Sequence, residues 1–175
     1  MENQLAAGGF EARLYNLKTH IGLVIKEARV RGANLIARIS PPGAEMLEPA
    51  DFEAHIDAQG LAVFLDERSP GGLKDFEVEI GPGKIDVRAT ASMIVPIRVR
   101  ASCSLRIDNE TRLYVDLLSA EVMGVGAAGL VEGQIEKINP VLDVKDLLPV
   151  ETRLKTVEIG EGLIVLKGSV RLRSG

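Results

Sequence analysis

The sequence predicts an α+β domain built mostly from antiparallel sheet, and three observations carry that prediction. Residues 95–107 alternate without a break: Val95, Ile97, Val99, Ala101, Cys103, Leu105 and Ile107 are apolar or small, with Pro96, Arg98, Arg100, Ser102, Ser104 and Arg106 between them. Period-two alternation of that length belongs to a strand with one buried face and one wet face. A hairpin-like segment at 78–91 recurs 79 residues later at 157–170, each copy with a Gly-x-Gly turn. Two other stretches carry apolar residues at helical spacing, and helices laid on one face of an antiparallel sheet define the α+β class.

Taken in chain order, 1–47 reads as N-terminal strands, with short apolar runs such as Leu23-Val24-Ile25 and Leu35-Ile36-Ala37. A helix is predicted to open at Glu48-Pro49-Ala50-Asp51, where proline suits the first turn and the acids complement the helix dipole. Phe52, Ile56, Gln59 and Val63 follow at i, i+4, i+7 and i+11, Phe64 and Leu65 widen the stripe, and Gly60 allows a break into two short helices. Phe76, Val78 and Ile80 alternate with Glu77 and Glu79, and Gly81-Pro82-Gly83 turns the chain into Ile85, Val87 and Ala89. After the long strand, Asp108-Asn109-Glu110-Thr111 is a turn cluster and 113–117 resumes the alternation. The second helix spans 125–138, with Ala128, Val131, Ile135 and Ile138 on one face, and Asn139-Pro140 ends it. In the last hairpin Val157, Ile159, Ile164 and Leu166 take the places of Val78, Ile80, Ile85 and Val87, and Lys167 that of Arg88. Hairpins with this turn chemistry resemble one another, so the repeat is read as recurring structure rather than as duplication.

Composition narrows the function. The 175 residues are 46% hydrophobic but only 3% aromatic, so the apolar content is Val, Ile, Leu and Ala, ample for a single buried core and unlike a disordered chain. Few aromatics and a net charge of −4 argue against a single-stranded nucleic-acid platform. One cysteine and two histidines leave no disulfide and no cysteine- or histidine-based metal centre, and no metal or other cofactor is expected. No apolar run approaches the roughly 18 residues of a membrane span, and 1–9 has neither the basic nor the apolar region of a signal peptide.

Candidate chemistry is sparse. Gly124-Val125-Gly126-Ala127-Ala128-Gly129 matches the wording of the dinucleotide fingerprint, whose glycines bring backbone N–H groups to a pyrophosphate at a helix N-terminus. That site needs a parallel βαβ unit, and the neighbours here are antiparallel hairpins. The alternatives are that Gly126, Gly129 and Gly133 let the helix approach the sheet closely, or that they leave the segment a flap. Cys103, between Ala101 and Leu105 on the apolar face, reads as a buried small hydrophobe. His20 and His55 have no acid–nucleophile pattern beside them, and Glu77 with Glu79 forms a solvated face, so no catalytic residue is assigned. Arg98, Arg100 and Arg106 project from the wet face with no acid among them. With Arg88, Lys167, Arg171 and Arg173 they would make a patch for anionic head groups, or else an ordinary charged sheet face.

The order of several segments resembles a known family. These are Glu48-Pro49-Ala50-Asp51-Phe52-Glu53-Ala54-His55-Ile56, the 78–91 hairpin, the 95–107 strand, Ile138-Asn139-Pro140-Val141-Leu142-Asp143, Leu147-Leu148-Pro149-Val150, and 157–168 with its terminal Gly-x-x-x-x-x-Gly. Together they resemble the LmeA-like phospholipid-binding family of bacterial envelope proteins, over 48–175. The resemblance implies a tubular lipid-binding-like fold, in which a strongly curved antiparallel sheet wraps one or two helices and leaves an apolar groove. It also implies a non-catalytic lipid-binding module, for phospholipid or fatty acyl chains, at the cell envelope or membrane periphery. The residues assigned to the groove are Phe52, Ile56, Val63, Phe64, Val95, Ile97, Val99, Val131, Ile135 and Ile138, with Arg98, Arg100 and Arg106 as head-group contacts. The expected partner is a lipid or other apolar small molecule, with peripheral contact to an anionic membrane and none with nucleic acid. Two rivals stand beside this reading: a closed-core interaction domain, and a nucleotide-binding protein using 124–129.

Overall fold

A computed structural model of the chain describes residues 4–39, 42–68, 70–91, 94–123, 125–126, 128–145 and 150–172. Its strands and helices run β1 (Gln4–Ala7), β2 (Phe10–Lys18), β3 (Val24–Gly32), β4 (Leu35–Ile39), β5 (Pro42–Met46), β6 (Ala50–Asp57), α1 (Ala58–Arg68), β7 (Leu73–Gly81), β8 (Lys84–Ala91), β9 (Ile97–Asp108), β10 (Arg112–Val122), β11 (Val125–Gly126), α2 (Ala128–Ile138), β12 (Leu142–Asp143), β13 (Val150–Ile159) and β14 (Leu163–Leu172). A 3-10 turn at Pro70–Gly72 follows α1. Among the described residues the strands form three sheets, one of them curled: β1-β4-β5; β13-β14-β6-β3-β2; and β11-β10-β9-β8-β7, with β12 added to β10. Every ladder among the described residues is antiparallel. The α+β class of mostly antiparallel sheet with two helices is therefore what the chain adopts.

The helix expected from Glu48 is corrected in its first half, because 50–57 is a strand. Phe52 and Ile56 are four residues apart, and four is both a helical step and a multiple of the strand period. Ala50, Ala54 and Ile56 bury one face, while Asp51 stays exposed on the other. Pairing decides the outcome: β6 lies between β3 and β14, with Ala54 against Ala28 on one side and Leu166 on the other. Asp51 lies at no helix start; it sits 3.8 Å from Lys155 of β13, two strands away in the same sheet. The helix begins one residue after Asp57, whose carboxylate accepts the N–H of Gly60 at 2.8 Å and caps the first turn. Gly60 causes no break. It lets the helix touch β3, since a Cβ there would sit 2.6 Å from the carbonyl oxygen of Val24.

The two similar hairpins fold alike in detail. Glu77 pairs with Arg88 and Val78 with Val87 in β7–β8, as Thr156 pairs with Lys167 and Val157 with Leu166 in β13–β14. Each carries a bulge at the same place, opposite Ala89 in one and Gly168 in the other. Gly83 and Gly162 hold φ of +75° and +73° in the turns. The N–H of Gly83 donates to the carbonyl of Ile159 at 2.8 Å, and that of Gly162 donates to Ile80 at 2.8 Å. The copies thus clasp each other reciprocally and tie the two large sheets together. Ile80, Ile85, Ile164 and Leu166 from both hairpins join Leu23, Ile56, Phe64, Leu113 and Leu154 in one buried cluster. Among the described residues no helix is long and apolar enough to cross a membrane.

Candidate functional site: an apolar cavity

Strand alternation builds the floor of a cavity. On β8, β9 and β10 the residues Ile85, Val87 and Ala89, then Val99, Ala101, Cys103 and Leu105, then Leu113 and Val115 turn to one side. In the ladder Ala89 faces Val99 and Val87 faces Ala101, so small side chains lower the middle of this floor. Leu61, Phe64 and Leu65 of α1 close one side, and Val131, Ile135 and Ile138 of α2 another. They surround a partly open space of about 120 Å³, and apart from the Cys103 thiol the single non-hydrocarbon side chain in the lining is that of Gln134.

Six of the ten residues assigned to a groove meet here: Ile56, Phe64, Val99, Val131, Ile135 and Ile138. The other four are displaced for identifiable reasons. Phe52 packs on the core from β6, against the backbone of Gly168. Val63 is 38% exposed, because a helix starting at Ala58 turns Leu61, Phe64 and Leu65 inward and 63 outward. Val95 is 65% exposed, since β9 starts only at Ile97, after Pro96. Ile97 is half-buried at the end of the ladder, opposite Ala91 and outside the lining.

Gln134 is the residue that sequence reasoning passed over. It lies three residues from Val131 and four from Ile138, on the apolar stripe of α2, and a polar side chain in that register was the available signal. Its Oε1 is buried without a hydrogen-bond partner. The amide rests against Gly71, where a Cβ would come within 2.8 Å of it and where φ is +66°. Asn139, noted only as a helix stop, anchors α2 to the sheet. Its Oδ1 accepts the N–H of Val115 and its Nδ2 donates to the Val115 carbonyl, both at 2.9 Å. This fills the gap on the outer edge of β10 between β12, paired at Arg112–Leu113, and β11, paired at Glu121–Val122.

The remaining candidates separate cleanly. Cys103 is 6% exposed on the cavity floor, and burial, helped by Asp86, pushes its thiol up to about 11. At neutral pH it is a thiol and no nucleophile. His55 lies 2.5 Å from Glu53, a contact that holds the Glu53 carboxyl below its usual range; His20 is exposed in the turn before β3. Glu77 and Glu79 stand opposite Arg88 and Asp86 on the outer face. Among the described residues no cluster of His, Cys, Asp and Glu could hold a metal.

The strand itself carries no acid among its arginines, and the neighbouring strand β10 brings acids to the same face. Arg106 binds Asp116 at 3.1 Å and lies 5.0 Å over the Tyr114 ring, Arg100 faces Glu121 and Arg88 from its two neighbouring strands, and Arg98 faces Thr90. Lys167 and Arg171 belong to the other large sheet, and Arg173 lies outside the described residues. The fingerprint segment also lacks its setting. Gly124 and Ala127 lie outside the described residues, while Val125–Gly126 pairs antiparallel with β10 before α2. Gly129 and Gly133 do not mediate close packing, because a Cβ on either would meet nothing within 4 Å. Of the segments that carry the family resemblance, 147–149 lies outside the described residues. Comparison with protein families, with characterised proteins and with solved structures returns no match to this chain.

Proposed function

We propose that the protein is a non-catalytic binding module for an apolar chain, a fatty acyl group or other slender hydrocarbon, held between α1, α2 and the apolar face of β8, β9 and β10. One observation carries the reading: a partly open space with a lining of Val, Leu, Ile, Ala and Phe, one thiol and one polar side chain. Such a site suits a ligand with no polar group along its length, because apart from Gln134 and the Cys103 thiol the lining offers no hydrogen-bonding side chain. The resemblance of 48–175 to a lipid-binding family, with its tubular lipid-binding-like fold, supports the same reading.

Size sets the ligand class. About 120 Å³ is close to the ~150 Å³ engineered cavity that holds a benzene and below the ~300–1,000 Å³ of drug-sized pockets. It admits part of one chain and not two chains side by side, so a longer ligand extends through the open side or lifts part of the roof. Helix α2 is the part suited to lift, since it rests on β10 and the 3-10 turn and carries two glycines facing open space. The same small volume favours a second reading, a closed core that presents its sheet face to a protein partner.

The test is fluorescence of N-phenylnaphthylamine with the parent protein and with Ala101→Phe, which fills the floor. The binding reading expects enhancement by the parent, displacement by palmitate, and loss of both in a variant whose circular dichroism is unchanged. A parent that neither enhances the dye nor responds to palmitate is a closed core.

A further inference from the structure

Among the described residues, the edges of the two large sheets are covered everywhere except along β2. Leu154 of β13 donates its N–H to the Glu110 carbonyl at 2.6 Å. On β7 the Phe76 N–H reaches the Asp66 carboxylate at 3.2 Å, and the Ile80 carbonyl accepts the Gly162 N–H at 2.8 Å. The β10 edge holds β11, β12 and Asn139. β2 pairs with β3 alone. An open edge presents a row of backbone donors and acceptors to any other strand, and proteins blunt such edges with lysine, proline or an inward-pointing charge. Residues 10–15, Phe-Glu-Ala-Arg-Leu-Tyr, contain none of these on the inner face, which carries Phe10, Ala12 and Leu14. Phe10 lies over Gly32 beside buried Ala50, and Leu14, opposite Ala28, is 51% exposed. Glu11, Arg13 and Tyr15 line the outer face. Arg13 meets a like charge across the ladder, Arg29, and leans instead on Glu11 at 2.5 Å.

We propose that β2 is the interface for a second copy of this chain, the two strands running antiparallel across a two-fold axis at Ala12. The pattern is self-complementary about that residue. Phe10 falls opposite the second copy's Leu14, so the apolar faces join, and Glu11 falls opposite its Arg13, so each arginine gains an acid on its open side. Only this register pairs the charges. Moving the axis by one residue sets Glu11 against Glu11 or Arg13 against Arg13, and moving it by half a residue sets the apolar face against the charged one. The result is one continuous sheet made from the two five-stranded sheets. This inference goes beyond the chain-binding reading and does not depend on it.

The test is sedimentation velocity up to about 100 μM, where an interface of micromolar affinity is largely occupied. The parent is expected to sediment as a dimer. Glu11→Arg and Arg13→Glu each place like charges opposite one another twice and should weaken the dimer about tenfold or more, whereas the double variant Glu11→Arg/Arg13→Glu restores it. Circular dichroism checks that each variant is folded. A second measurement leaves the charges alone: in a Cys103→Ala background, Ala12→Cys places two thiols directly opposite, within disulfide reach, while Leu14→Cys places them about 13 Å apart. Mild oxidation should link the first pair and not the second. A parent that stays monomeric overturns the proposal. So does a dimer that is indifferent to the charge changes, or one that links at 14 and not at 12, since either associates through another surface or register.

Discussion

Two side chains, Asn139 at the edge of β10 and Cys103 on the cavity floor, show how much single residues decide. Asn139 takes the place of a strand along one stretch of the β10 edge, satisfying both backbone groups of Val115 with one amide. Asn139→Ala leaves those groups without their partner, and should lower stability by about 2 kcal/mol, read as a shift of the urea midpoint at unchanged slope. Cys103 gives a pH signature. Its thiol keeps its proton in the folded protein up to about 11, whereas in the unfolded chain it ionises near 8.5–9. Between those values the unfolded state binds fewer protons, so stability is complete below about pH 8.5 and falls as pH rises toward 11. The parent should therefore lose up to roughly 3 kcal/mol relative to Cys103→Ala across that window, in urea titrations at successive pH values. Equal alkaline slopes would mean that the thiol is open to solvent. Both positions could be read in part from sequence: Cys103 through its place in the alternation, Asn139 only as a helix stop, because a long-range amide bridge leaves no local pattern.

At the scale of elements, the long strand, both hairpins and the second helix were legible because each rests on a local period repeated several times. The 48–57 segment was not. Its apolar residues at even positions fit a strand period and a helix period together, and the neighbours that decided for a strand, β3 and β14, are remote in sequence. The same limit explains the groove residues. Val99 and the three α2 residues reached the cavity from elements whose pattern was read correctly, Ile56 and Phe64 reached it from a segment whose first half is a strand, and Val63 and Val95 missed it because an element began later than its pattern suggested. The helix glycines provide a test at this scale. Gly60→Ala drives a Cβ into the backbone of Val24 and should cost about 1–3 kcal/mol despite the better helix propensity. Gly133→Ala on α2 meets open space and should stabilise by about 0.5–1 kcal/mol. Paired thermal melts decide between them, and the same sign at both sites would contradict the helix placements.

The whole molecule is held by its two matching hairpins. Their reciprocal hydrogen bonds join sheets that are otherwise separate ladders, and their inward isoleucines and leucines supply the core beside the cavity. The repeat was visible in sequence, but the clasp was not, since it depends on how the two turns meet. A framework fixed in this way leaves one region less than fully packed, and the central claim is that this region takes an apolar chain. The most direct measurement is the melting temperature of the parent with and without saturating palmitate. A ligand at about 100 times its Kd stabilises by roughly 2.7 kcal/mol, which for a domain of this size is a rise of about 5–10 °C. Ala101→Phe should melt at or above the ligand-free parent and show no response. An unshifted parent, together with an Ala101→Phe variant that melts several degrees lower, would mean that the space is packed core and the account of its function is wrong.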